Sequence, residues 1–186
     1  MVTDARAAKH FEDVVLPHLH AAYNLARWLS RSDHDAQDIV QEAYLRAFRF
    51  FDGFHGDDAR AWLLAIVRNT TYTWLKQNRA QETSTPFDEE FHSLPEDGAV
   101  EGFERPDNNP ETILAQRDDK RVLDAALEML PLPFREVLVL RELEDLSYKE
   151  IARIADIPIG TVMSRLARGR KLLGDLLKQQ ESFSEL

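Results

Sequence analysis

The sequence predicts an all-α protein: two small helical domains joined by a flexible acidic linker. Apolar residues recur at three- and four-residue steps near both ends of the 186-residue chain, and no segment alternates with a period of two. The negative charge is concentrated in one place. Residues 1–80 hold 10 acidic and 10 basic side chains, 81–111 hold 10 acidic residues against the single Arg105, and 112–186 hold 13 against 12, for a net charge of −10. The middle stretch also carries Pro86, Pro95, Pro106, Pro110, Gly98 and Gly102. Such a segment cannot bury enough apolar surface to offset its ordering entropy. Domains are therefore expected at 1–80 and 112–180, with the linker at 81–111.

In the first domain, Phe11, Val15, Leu19, Ala22, Ala26 and Leu29 predict one helix with a buried stripe. Ser32 and Asp35 have the spacing of a capping box and open a second helix whose apolar face is Ile39, Ala43, Ala47 and Phe50. Two glycines in the segment Asp52 to Asp57 predict a loop. A third helix then runs to about Asn78, with Trp62, Ile66, Thr70 and Trp74 at helical spacing. That shared stripe assigns both tryptophans to core packing.

In the second domain, Asn109 and Pro110 have the character of an N-cap and a first-turn proline. Ile113, Leu114, Leu123, Leu127 and Leu130 line the helix that follows, and Pro131 and Pro133 are expected to stop it. Phe134, Val137, Leu138 and Arg141 begin another short helix. Ser147 and Glu150 form a second capping box, opening a short helix with Ile151, Ala152 and Ala155. Asp156, Ile157 and Pro158 make a turn, because proline disfavours helix at the residue before it. A longer helix follows, with Val162, Leu166, Leu173 and Leu176 expected to be buried.

Two helices around so short a turn match a helix-turn-helix. Thr161, Ser164, Arg165, Arg168 and Lys171 occupy the second helix's exposed face, and no acid stands between Ile159 and Lys171. In this motif the second helix enters the major groove, where Arg pairs with guanine and smaller polar groups reach base edges or phosphates.

Composition excludes several other classes. There is no cysteine, hence no disulfide or thiolate metal site. The longest apolar run, Ala61 to Val67, is far short of the ~20 residues that span a bilayer. The N-terminal residues Asp4, Arg6, Lys9, Glu12 and Asp13 do not form a secretory signal, so a cytoplasmic protein without membrane insertion is expected. The six histidines are scattered, and there is no phosphate-binding glycine loop or nucleophile motif, so neither an enzyme nor a bound cofactor or metal is expected. A dimeric helix-turn-helix transcriptional regulator is the main alternative. It would require a dimerisation or effector domain, for which a three-helix module and an acidic linker are poor candidates.

Two blocks of sequence resemble the extracytoplasmic-function (ECF) sigma factors. Leu130-Pro131-Leu132-Pro133-Phe134-Arg135-Glu136-Val137-Leu138, then Leu146 to Ala152 and Gly160 to Leu166, are similar to region four of that family. Asp35 to Tyr44, and Ala61-Trp62-Leu63 through Arg68-Asn69-Thr70, are similar to region two. The resemblance implies a promoter-reading subunit of RNA polymerase. It puts Asp38, Gln41 and Glu42 at positions that dock on the β′ clamp helices. It gives Phe54, His55, Arg60, Arg68 and Asn69 to the non-template strand of the minus-ten element, with Phe54 and Asn69 as base contacts. Thr161, Ser164, Arg165, Arg168 and Lys171 would meet the minus-thirty-five element.

The implied partners are core RNA polymerase, through β′ and β, promoter DNA, and the anti-sigma factor that many members have. His55 stands where members often have a basic residue, and Met163 where many have Arg. The carboxylates of the linker suit either of two roles: imitation of nucleic acid in a basic channel of the polymerase, or simple solubilisation.

Overall fold

The computed structural model describes residues 2–79 and 110–184, and these form eight α-helices. Most of the acidic linker, and Asn109 with it, lies outside the described residues. No helix among the described residues is long and apolar enough to cross a membrane.

The N-terminal stripe is expressed as two helices rather than the one expected. α1 (Val2–Val15) ends in a 3-10 turn at Leu16–His18, and α2 (Leu19–Ser30) restarts the chain. Pro17 accounts for the break, because it lacks an N–H and its ring clashes with the preceding turn. The redirection leaves Leu19 exposed, while Val15, Ala22, Ala26 and Leu29 stay in the core. Arg31, with φ 60°, closes α2 in the left-handed conformation.

α3 (Asp33–Phe50) starts where the Ser32 hydroxyl accepts the Asp35 N–H at 3.3 Å. Ile39, Ala43 and Ala47 are buried as expected, but Phe50 is 65% exposed because α3 outruns the core at its last turn. α4 (Ala59–Arg79) crosses α2 and α3 and completes the first module. The Asp58 carboxylate accepts the Ala61 N–H at 2.9 Å and so occupies one orphan donor of its first turn. Trp62 and Trp74 are partly buried against the core, in keeping with the packing role read from their spacing.

The second module consists of α5 (Pro110–Met129), α6 (Leu132–Leu138) with a π-helical turn at Val139–Leu143, α7 (Tyr148–Ala155) and α8 (Ile159–Ser184). Pro131 stands outside the helices as the N-cap of α6, whereas Pro133 lies in α6's first turn and begins that helix rather than ending α5. Arg135 is buried, and its Nη1 donates to the carbonyls of Glu128 and Leu130 at 2.9 Å each, satisfying acceptors left at the end of α5. Gly169 permits α8 to cross α6 closely: a Cβ there would lie 3.0 Å from the Leu138 side chain. Val162 and Leu166 are fully buried, while Leu173 and Leu176 are only partly so, because α8 runs past the body of the module.

Candidate nucleic-acid and partner interfaces

The helix-turn-helix forms as its sequence predicts. Ser147 Oγ accepts the Glu150 N–H at 3.3 Å and the Glu150 carboxylate accepts the Ser147 N–H at 2.7 Å, a complete capping box at the start of α7. The Ser147 hydroxyl also donates to the Glu150 carboxylate at 2.6 Å, and this bond first, then the one from the Ser147 N–H, holds the Glu150 carboxyl below its usual range. Asp156 closes α7 with φ 54°, a left-handed conformation that Asp tolerates better than most residues. Ile157 is partly buried beneath the turn. With Val162, Leu166 and Gly169 turned to the core, the helical period directs Ser164, Ala167 and Lys171 outward. Ser164 and Lys171 are exposed, and Thr161, Arg165 and Arg168 flank them half-buried. Met163, 49% exposed, lies between that stripe and Arg170, which is held by Glu142 at 2.7 Å.

On α3, Asp38, Gln41 and Glu42 are all exposed, opposite Ile39, Ala43 and Ala47. Glu42 accepts from Arg46 at 2.8 Å along its own helix. Between Gln41 and Glu42 on the helical wheel stands Leu45, 57% exposed, which the sequence reading passed over. Its signal was an apolar residue out of phase with the buried stripe.

The loop after α3 carries an aromatic cluster. Phe54 packs on Trp62 at 4.8 Å between centroids and stacks on Phe51 at 6.1 Å, and Phe51 in turn meets Phe11 and His10. A cleft of ≈ 480 Å³ opens beside Phe54, lined also by His10, Val14, Asp52 and Asp57. His55 is exposed at its edge of the loop. Asn69 is exposed on α4, ten residues beyond Ala59 and therefore roughly 15 Å along the helix. Phe54 and Asn69 thus mark two ends of a surface rather than one pocket.

The remaining first-module candidates face the other module. Arg68 Nε donates to Glu136 Oε1 at 2.7 Å, and its guanidinium lies 4.0 Å over the Tyr72 ring. The Tyr72 hydroxyl donates to Glu136 Oε2 at 3.0 Å. Burial, reinforced by that carboxylate, pushes the Tyr72 hydroxyl well above the ordinary phenol range, so it remains a donor. Arg60 and Asn24 both donate to Glu144, at 2.6 Å each. The acceptors Glu136 and Glu144, and Glu128, which accepts from Arg27 at 3.0 Å, were not singled out in the sequence. The available hint was a carboxylate, Glu136, inside the apolar run of α6.

Comparison with known proteins follows the same two modules. The family models for sigma-70 region 2 and sigma-70 region 4 match residues 14–81 and 120–173. The chain is 34% identical over 168 residues to the ECF RNA polymerase sigma-E factor of Escherichia coli, covering 89% of this chain and 85% of that protein. It is 32% identical over 179 residues to the ECF RNA polymerase sigma factor SigE of Mycolicibacterium smegmatis, covering 96% of this chain and 66% of that protein. Among solved structures, the sigma factor RpoE of Bartonella quintana, determined with the anti-sigma factor NepR, superposes with a TM-score of 0.67 and 29% identity. That superposition covers 91% of this chain and 98% of RpoE. With a complete helix-turn-helix behind a four-helix module, and both regions matched in order, the chain belongs to the extracytoplasmic-function family of RNA polymerase sigma factors.

Proposed function

We propose that this sigma factor docks on core RNA polymerase through α3, holds the minus-ten non-template strand along α4, and reads the minus-thirty-five duplex with α8. The acid-free outer stripe of α8, behind an α7 that opens on a complete capping box, carries the reading most directly. Such a helix fits the major groove, with Arg168 and Ser164 turned toward base edges and Lys171 toward phosphate. Thr161 and Arg165 flank the groove walls.

On α3, Asp38, Gln41 and Glu42 surround the exposed Leu45, an apolar centre with a polar rim of the kind that protein partners bury. The β′ clamp helices are its proposed partner, and the β subunit is the proposed neighbour of the second module. Beside α4, the cleft at Phe54 would take an unstacked base, with the exposed His55 next to it in the loop, Asn69 a second base, and Arg60 and Arg68 the intervening phosphates. The complex of the similar sigma factor RpoE with the anti-sigma factor NepR supports a partner of that class here as well. The chain acts in initiation and supplies no catalytic group of its own.

Reconstitution with core polymerase, followed by sequencing of transcript start sites, tests the whole reading. Initiation at a shared pair of elements is expected, and it should be lost when Asp38, Gln41 and Glu42 are all changed to Ala. Unchanged holoenzyme assembly by a folded triple variant would move the docking surface elsewhere.

A further inference from the structure

The outer face of α8 is divided along its length. Ser164 and Lys171 run along its middle, and Thr161, Arg165 and Arg168 make one side polar. The other side is apolar. There Gly160, Met163 and Ala167, at steps of three and four residues, are all exposed, and Ile159, 38% exposed, stands one turn before Met163. Met163 is 49% exposed between two small neighbours, and even a Cβ added at Gly160 would meet nothing within 4 Å. Its thioether therefore has open space on both sides along the helix. Neither Met163 nor Ala167 packs against the hydrophobic core of the described residues, so the fold does not account for them.

We propose that Met163, with Ala167 one turn later, reads the 5-methyl group of a thymine in the minus-thirty-five duplex. The proposal deepens, and rests on, the placing of α8 in the major groove. Charge selects the occupant: no acid stands between Ile159 and Lys171, where Arg165, Arg168, Arg170 and Lys171 all lie, so this face suits a polyanion. Of the groups that base pairs display in the major groove, the thymine methyl is the apolar one. An unbranched thioether is flexible enough to close around it. A cytosine at the same position would instead press its amino group against a sulfur that accepts hydrogen bonds only weakly. The two sides of α8 thus divide the reading, with Arg168 and Ser164 sensing hydrogen-bonding groups and Met163 sensing a methyl. Because Met163 is uncharged, its contribution should not depend on salt.

Deoxyuridine in place of thymidine removes the methyl and leaves the hydrogen-bonding edge of the base pair intact. Holoenzyme would be titrated with promoter duplexes taken from mapped start sites, each thymidine on either strand of the minus-thirty-five element being replaced in turn. One replacement should weaken binding by wild-type holoenzyme about fourfold, the loss expected for one buried methyl. Holoenzyme carrying Met163→Ala should bind the thymidine and deoxyuridine duplexes alike at that position, with an unchanged salt slope, whereas Met163→Leu should keep the difference. Tolerance of deoxyuridine at every position by the wild type would overturn the proposal, and that arm needs no variant to fold. So would a difference that persists in Met163→Ala, because another side chain would then meet the methyl. Promoter binding that ignores Met163→Ala, beside weakened binding of a protein partner, would likewise overturn it and make the apolar side a protein surface. Lys171→Ala separates this from the assignment beneath it. Where that change weakens all duplexes alike while deoxyuridine is tolerated, α8 stays in the groove and methyl reading alone fails. Where neither Lys171→Ala nor Met163→Ala alters promoter affinity, the placing of α8 fails with it.

Discussion

The cations proposed for DNA are kept differently on α4 and α8. On α4, Arg60 and Arg68 point across the module boundary at buried carboxylates. On α8, Ser164 and Lys171 stand exposed, and Arg170 at the margin is held by a surface pair in which both side chains are about half exposed. Duplex DNA presents its groove to any protruding helix, whereas single-stranded DNA exists only after melting. A surface for the second ligand can be closed while the first is open. What sets Arg60 and Arg68 apart is that each meets a buried carboxylate of the other module.

Removing one partner of an enclosed pair should have the largest effect. Arg68→Ala strands the Glu136 carboxylate and should destabilise the closed chain by up to about 3–5 kcal/mol, read from urea unfolding. A change as small as that for Lys171→Ala would erase the contrast between the two helices. On α8 the expected effects concern binding instead. Arg168→Ala should relax preference at one base pair of the minus-thirty-five element by ~1–3 kcal/mol, measured with holoenzyme on single-base promoter variants. Lys171→Ala should weaken all variants alike and reduce the salt slope by about one unit. Equal losses across variants for Arg168→Ala would make that residue a backbone contact, leaving specificity to Ser164 and Arg165.

The helix starts of the two modules sharpen the comparison at a smaller scale. The Ser147 N–H donates the reciprocal hydrogen bond to the Glu150 carboxylate, while at the Ser32 cap the side chain accepts from the Asp35 N–H alone. Ser147→Ala should cost about 1 kcal/mol in thermal unfolding and Ser32→Ala less. The Glu150 carboxyl is depressed in the fold, so its contribution is present above the ordinary glutamate value of 4.5 and is lost as pH falls through the lower folded value. Ser147→Ala should therefore flatten the acid limb of the stability profile, and an unaltered limb would remove Glu150 from its cause.

What was legible from sequence depended on how local the cause was. The α7 capping box, the turn at Asp156 and the buried Val162 and Leu166 all follow from neighbours within a few residues, and each is present. Pro17 was just as local, yet the apolar period continues across it and hides the break between α1 and α2. Phe50 failed because periodicity reports a face and not where the core ends. The partners of Arg60 and Arg68 lie 84 and 68 residues away, and no helical period carries that information. The family resemblance singled out the cations; only the fold shows what they hold.

A double-mutant cycle on Arg68 and Glu136 in the free chain tests that difference most directly. Arg68→Gln, Glu136→Gln and the pair together would be compared by urea unfolding at low salt. Direct contact predicts a coupling of ~0.5–3 kcal/mol, with the double variant less damaged than the sum of the singles. Strict additivity would mean that Arg68 does not rest on Glu136 in solution, and that α4 is as open as α8.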